Sequence, residues 1–195
     1  MKAGRRRALV AFVALLVAAC GSDESWHARN VRGMIPDLAF EMTSDEGRTV
    51  QASDYRGEVV LLFFGYTHCP DICPTTLARL AQALKIMGDQ AARVRVLFVS
   101  VDPARDTPAL LRDYSKAFSP QVTGLVGSDA QLDALAKRYR VAYSRDAPDA
   151  HGDYNVSHSS AVFVFDGEGR ARLVISPELG ADEIAADLTR LVAGG

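Results

Sequence analysis

The sequence is short of several things. It has three cysteines in 195 residues, one tryptophan, no internal repeat and no low-complexity tract. Three cysteines are too few for a disulfide-stapled scaffold. Fifteen glycines and eight prolines exclude a collagen-like or linker-like chain. No apolar run reaches the ~18 residues of a spanning helix, which excludes a polytopic membrane protein. Excess charge is also lacking: 22 basic and 24 acidic residues leave a formal net charge of −2, without the basic footprint of a nucleic-acid binder. What remains is globular in composition, 48% hydrophobic and 24% charged. Disorder as the main state is excluded. The length fits one domain with a small remainder.

The remainder is N-terminal. Lys2, Arg5, Arg6 and Arg7 precede a twelve-residue apolar run, Ala8 to Ala19. That length suits a signal-peptide core better than a membrane span. Val17-Ala18-Ala19-Cys20 resembles a bacterial lipobox, and the polar Gly-Ser-Asp-Glu-Ser follows. The expectation is a lipoprotein-type signal peptide over residues 1–19, lipidation at Cys20, a tether over 20–33 and a folded domain over 34–195. An ordinary signal cut after Ala19, or an uncleaved anchor, is the alternative. All three place the domain outside the cytoplasm, in the periplasm or its equivalent. Without the leader the chain carries 18 basic against 24 acidic residues. That balance favours solubility and offers no attraction to anionic lipid or DNA. It also leaves two cysteines, Cys69 and Cys73, in the domain.

Patterning gives the element order. Leu38–Met42 and Thr49–Gln51 flank Asp45-Glu46-Gly47 and read as a hairpin. Val59–Gly65 and Val94–Val101 are continuous apolar runs, the mark of strands covered on both faces. Thr75–Met87 reads as a helix, and Thr107-Pro108 opens another with Leu110, Leu111, Tyr114 and Phe118 inward. Val122–Val126 is a short strand. Ser128 caps a helix carrying Leu132, Leu135, Ala136 and Tyr139. Val141–Ser144 reads as an extra strand. Ala161–Phe165 and Ala171–Ile175 form a second hairpin, and a helix starts near Ala181. Strand–helix alternation argues for parallel strands with crossovers. The order matches an α/β, thioredoxin-like fold with an N-terminal β-hairpin and an inserted strand–helix segment.

Chemistry concentrates after the first apolar strand, in Tyr66-Thr67-His68-Cys69-Pro70-Asp71-Ile72-Cys73-Pro74. Open α/β sheets place their sites beyond the carboxyl ends of strands. Three residues separate the cysteines, where redox thioredoxin motifs use two. The spacing predicts an irregular loop, with Cys73 at the helix N-cap and Pro74 starting the helix. A thiol at a helix N-terminus is expected to have a lowered pKa and to favour thiolate. A structural disulfide is disfavoured, because so small a loop removes little unfolded-state entropy. Two thiolates suit a soft cation such as Cu(I). Among four histidines, His27 falls in the tether, His151 in a polar loop, and His68 beside Cys69 with its side chain directed away. His158 is the best third ligand. It precedes the strand Ala161–Phe165, in a loop that faces the cysteine loop in a thioredoxin-like fold, near the place where thioredoxin-like oxidoreductases carry a cis-proline.

The cysteine motif, Ser100-Val101-Asp102-Pro103-Ala104-Arg105-Asp106-Thr107-Pro108 and the distal His158 together resemble the Sco/SenC family of copper proteins. The similarity covers roughly residues 33–193. The resemblance implies a thioredoxin-like fold and one copper ion, Cu(I) or Cu(II), held by Cys69, Cys73 and His158. It implies assembly of the CuA centre of cytochrome c oxidase subunit II as the function. The partners implied are that subunit, a periplasmic copper donor and, through the lipid, a membrane. A metallochaperone is expected rather than an enzyme. The alternative is a thiol–disulfide oxidoreductase that keeps the partner's copper-ligand cysteines reduced, exchanging disulfides through Cys69 and Cys73. A peroxiredoxin reading fails on spacing, since His68 alone separates Thr67 from Cys69. A copper sensor or buffer is chemically indistinguishable at the site itself.

Asp102 closes the second apolar strand and is expected behind the ligands, orienting His158 or holding the cysteine loop. Its alternative role is a turn residue before Pro103. Arg105 and Asp106 are expected to pair locally or to face a partner. Tyr66 and Phe64 are expected to shield the site.

Overall fold

The structure is a computed structural model that describes residues 25–194. The expected signal peptide and lipidation site, Cys20, lie outside the described residues. In chain order the strands and helices are β1 (Arg29–Asn30), β2 (Glu41–Ser44), β3 (Thr49–Gln51), β4 (Val59–Gly65), α1 (Ile72–Met87), β5 (Val94–Ser100), α2 (Pro108–Lys116), β6 (Val122–Val126), α3 (Asp129–Tyr139), β7 (Tyr143–Arg145), β8 (Val156–His158), β9 (Val162–Phe165), β10 (Ala171–Ile175) and α4 (Ala181–Ala193).

Eight strands form one sheet in the order β1-β10-β9-β4-β5-β6-β2-β3. The apolar runs sit at its centre. All seven residues of β4 are buried, and β4 pairs in parallel with β5 from Val59↔Val94 to Gly65↔Ser100. β6 continues the parallel set beside β5, while β9 closes antiparallel on the other side of β4. Two parallel strands joined by α1 must end at the same edge, so the segments after Gly65 and Ser100 leave the sheet together. Helices α1 and α4 pack against one another. Strands β7 and β8 stand apart as a two-stranded sheet.

Local signals act where the residues place them. Thr107 Oγ1 accepts the N–H of Leu110 at the start of α2. Ser128 Oγ accepts that of Gln131 at the start of α3. Helix α1 stops at Gly88, whose φ of +59° suits a residue without Cβ. The four apolar residues expected inward on α3 are all buried. On α2 the expectation is corrected: Leu111 is buried but Leu110 points outward, because the helical period places adjacent residues about 100° apart. β8 was not anticipated as a strand, since its three residues show no clear alternation.

The domain also begins earlier than residue 34. Ala28 and Val31 are buried, and β1 pairs antiparallel with β10. The carboxylate of Asp187, on α4 and itself 2% exposed, accepts the backbone N–H groups of His27 (3.2 Å) and Ala28 (2.7 Å). Trp26 lies under the guanidinium of Arg190, 4.2 Å from the ring centre. The polar stretch around these residues hides a few anchoring positions. Asp187→Ala is expected to strip both N–H groups of their acceptor. The cost is about 1–3 kcal/mol, the price of unpaired buried donors. Urea unfolding, with amide exchange at Ala28, measures it.

Candidate metal centre

The site forms where β4 and β5 end. After Gly65 the chain turns through 66–71, with the Cys69 N–H bonded to the Tyr66 carbonyl (3.3 Å). Helix α1 begins at Ile72, after Asp71, so Cys73 lies in its first turn and not at its cap. Pro74 is accommodated as the third helical residue. Its missing N–H costs nothing there, because the first N–H groups of a helix have no intrahelical acceptor.

Three side chains converge. Cys69 Sγ accepts the backbone N–H of Cys73 (3.4 Å). Cys73 Sγ lies 3.3 Å from His158 Nε2. The ligand atoms of Cys69, Cys73 and His158 all fall within 4.8 Å of one another. Both cysteines are free thiols, Cys73 fully buried and Cys69 half-buried. His27, His68 and His151 are not part of this group. The ring of His68 is exposed beside Thr67 Oγ1 (3.0 Å).

The tautomer of His158 follows from its neighbours. Nδ1 faces the Ser159 carbonyl at 3.0 Å, and a carbonyl can only accept. Nδ1 therefore carries the proton, and the Nε2 lone pair points toward Cys73. Burial also lowers the pKa of His158 below its ordinary value, which keeps the imidazole neutral near pH 7. The rings of Tyr66 and Phe63 hold it edge-on, 6.0 and 6.1 Å away. Phe63, not Phe64, is the second ring at the site.

The expected lowering of the Cys73 pKa is overturned. Burial pushes this thiol well above its usual range, because desolvation of a thiolate outweighs the hydrogen bond from the Tyr66 backbone that favours it. A proton therefore stays on Cys73 until a cation replaces it. A buried thiol, a half-buried thiol and an imidazole nitrogen make a soft-donor set that can hold a thiophilic metal ion.

Two neighbours escaped the sequence reading. Gly65 leaves room for the sulfur: a Cβ there would lie 2.7 Å from Cys73 Sγ and 2.5 Å from the Phe98 ring. Its position at the end of an apolar strand was the available signal. Asp106, 1% exposed, accepts the Thr67 N–H (3.2 Å), the Thr67 hydroxyl (2.6 Å) and the Ser100 hydroxyl (2.6 Å). It holds the cysteine loop, one of the two tasks expected of Asp102. Asp102 hydrogen-bonds neither His158 nor a cysteine directly; it reaches the His158 strand through Tyr154. It accepts the Tyr154 hydroxyl (2.7 Å) and pairs with Arg105. Both carboxylates sit in one turn, and sequence alone does not say which one faces which loop.

A family model described as SCO1/SenC matches residues 35–193. The mitochondrial SCO2 homologue of Bos taurus is 37% identical over 156 residues, covering 79% of this chain and 59% of that protein. The chain thus spans less than two thirds of that relative. The structure of Bradyrhizobium japonicum ScoI with copper bound is 37% identical, with a TM-score of 0.74, over 80% of this chain and 99% of that one. A SCO1/SenC family lipoprotein from Bacillus anthracis is 25% identical, with a TM-score of 0.68, over 81% and 96%. The thioredoxin-like fold expected from element order is the fold of these neighbours.

Gly65→Ala is expected to displace the Cys73 sulfur or the Phe98 ring. Overpacking of this kind costs about 1–3 kcal/mol. Thermal unfolding reads that cost. Titration with a thiophilic ion is expected to show weaker binding, whereas an alanine that left affinity unchanged would mean the space is not needed.

Proposed function

This chain belongs to the SCO1/SenC family, and we propose that it carries one copper ion on Cys69, Cys73 and His158 for delivery to the CuA centre of cytochrome c oxidase subunit II. The observation that carries this reading is the convergence of two sulfurs and one neutral imidazole nitrogen within 4.8 Å. Copper-bound relatives of the same fold support the choice of metal. Copper is cargo here. Two thiolates and an imidazole match Cu(I) in softness, and water can complete the shell of Cu(II).

Delivery is a ligand exchange. Cys69 is the more accessible sulfur, so an incoming thiolate displaces it first and the buried Cys73 last. Each metal–sulfur bond that breaks is matched by one formed on the acceptor, and the oxidation state of the metal is unchanged. A cleft of about 380 Å³ lies beside His158, bordered by Ala142, Tyr143, Ser144, Ser157 and Ser159.

The domain operates outside the cytoplasmic membrane, with Cys20 lipidated. Support comes from the leader pattern and from the Bacillus anthracis relative described as a lipoprotein. No described helix is long and apolar enough to cross a membrane. Cys20→Ser is expected to move the protein from the membrane fraction to the soluble one, and mass spectrometry of the wild-type N-terminus is expected to show acyl chains. An unmodified Cys20 in the mature protein would refute the anchor.

Copper binding is tested by titrating the reduced chain with Cu(I) and Cu(II). His158→Ala is expected to weaken affinity by roughly tenfold or more, as loss of one of three ligands implies. Cys69→Ser and Cys73→Ser are expected to abolish tight Cu(I) binding, since a hydroxyl is a poor soft-metal ligand. Delivery is tested by mixing the loaded protein with a soluble subunit II domain. Metal appearing in that domain supports a carrier. Stoichiometric reduction of that domain's disulfide by metal-free protein, with Cys69 and Cys73 oxidised to a disulfide in exchange, supports the oxidoreductase instead.

A further inference from the structure

His158 is carried by a weak element. β8 has three residues and pairs only with β7, also three residues long. An isolated two-stranded hairpin is marginal in water. Something outside the hairpin must hold it over the thiols.

The hairpin is tied to α3 through Arg145–Asp129 and Tyr143–Asp133, and its other attachments converge on one short segment. Arg145 of β7 donates to the Val101 carbonyl (3.0 Å). Tyr154, two residues before β8, donates its hydroxyl to Asp102, which is fully buried. The Arg105 guanidinium pairs with the same carboxylate and stacks on the Tyr154 ring, 3.7 Å from its centre. Its other neighbour is the Tyr66 ring at 5.8 Å. Tyr66 in turn packs edge-on against His158 and accepts the Val156 N–H at 3.5 Å. Arg105 thus lies between the ring that leads into β8 and a ring that touches the imidazole.

The same segment holds the cysteines. Asp106 bonds Thr67 of the cysteine loop, and the Gly65 carbonyl accepts the Val101 N–H (2.8 Å). Residues 100–106 are therefore a bridge with the thiol pair on one side and the imidazole on the other.

We propose that Arg105 and Tyr154 are positioning residues that clamp the β7–β8 hairpin, and so fix His158 over Cys69 and Cys73. The proposal rests on the reading of those three residues as the copper ligands. A stacked guanidinium paired to a buried carboxylate is a strong local hold. Lysine cannot reproduce it, because a compact ammonium lacks the planar face that stacks on the Tyr154 ring. Opening the clamp frees the imidazole while the two sulfurs stay in place, which lowers the coordination number and eases transfer.

The test uses the full chain, reduced and purified in detergent, as wild type, Tyr154→Ala, Tyr154→Phe, Arg105→Lys and His158→Ala. Hydrogen exchange of the metal-free proteins is read over residues 154–160 and over β4. Tyr154→Ala is expected to speed exchange at 154–160 on the order of tenfold, the scale of a lost hydrogen bond and cation–π contact, and to leave β4 unchanged. Tyr154→Phe, which keeps the ring and loses the hydroxyl, is expected to fall between it and wild type. Copper affinity is expected to drop in the order Tyr154→Phe, Arg105→Lys, Tyr154→Ala. The Cu(II) absorption spectrum of Tyr154→Ala is expected to shift toward that of His158→Ala. If Tyr154→Ala leaves exchange at 154–160 unchanged, or speeds it equally in β4, the clamp is wrong. It is also wrong if exchange rises but affinity and spectrum stay wild-type. If His158→Ala itself binds copper like wild type, the ligand assignment has failed, and the positioning role falls with it.

Discussion

The structure turns on the complete burial of one sulfur. Cys73 has no exposed surface, and a buried polar or ionisable group is tolerated only where its surroundings answer it. Several features follow. β4 must end in a residue without a side chain, because Gly65 faces the sulfur. Helix α1 must begin early enough to carry Cys73 in its first turn. An imidazole must arrive from elsewhere in the chain, and His158 does so from 85 residues away. Burial also holds the proton on Cys73. The sulfur is poorly suited to casual attack, yet it becomes a ligand once a cation compensates for the lost proton.

The framework was legible because it rests on strong, redundant signals. Continuous apolar runs located β4 and β5, a short Val122–Val126 segment gave β6, and Thr107 and Ser128 marked helix starts through their side-chain oxygens. The proximity of His158 to the cysteines could be inferred from topology, since the loop before β9 lies beside the end of β4. What sequence could not show was contact-level assignment. Asp102 and Asp106 are both carboxylates in one turn, and only packing decides that Asp106 meets Thr67 while Asp102 meets Tyr154. The pKa of Cys73 was misjudged for a related reason. A helix terminus is visible in a sequence, whereas the depth of burial that overrides it is not. Likewise, β1 is two residues long, too short for a periodic signal.

Rigidity is unevenly distributed around the site. The sulfurs sit at the end of central, fully paired strands, where opening demands much of the global unfolding free energy. The imidazole sits on a hairpin outside the main sheet. The proposed carrier role would benefit from that division: a fixed thiol pair preserves the cradle, while a less stable arm can change the number of bonds to a metal without disturbing the core. The cleft beside His158 lies on the same arm.

The early start of the folded domain has a consequence for encounter with a partner. Asp187 and β10 fix the chain from His27 onward, leaving six residue steps between Cys20 and Trp26. Fully extended, such a span reaches only about 20 Å. Under the proposed acylation of Cys20, the domain would sample a thin layer above the bilayer instead of the whole compartment. An acceptor rooted in the same membrane would then meet it at a higher effective concentration than in free solution. Weak contacts around the site are enough at that concentration, and weak contacts also let the two proteins separate once the metal has moved.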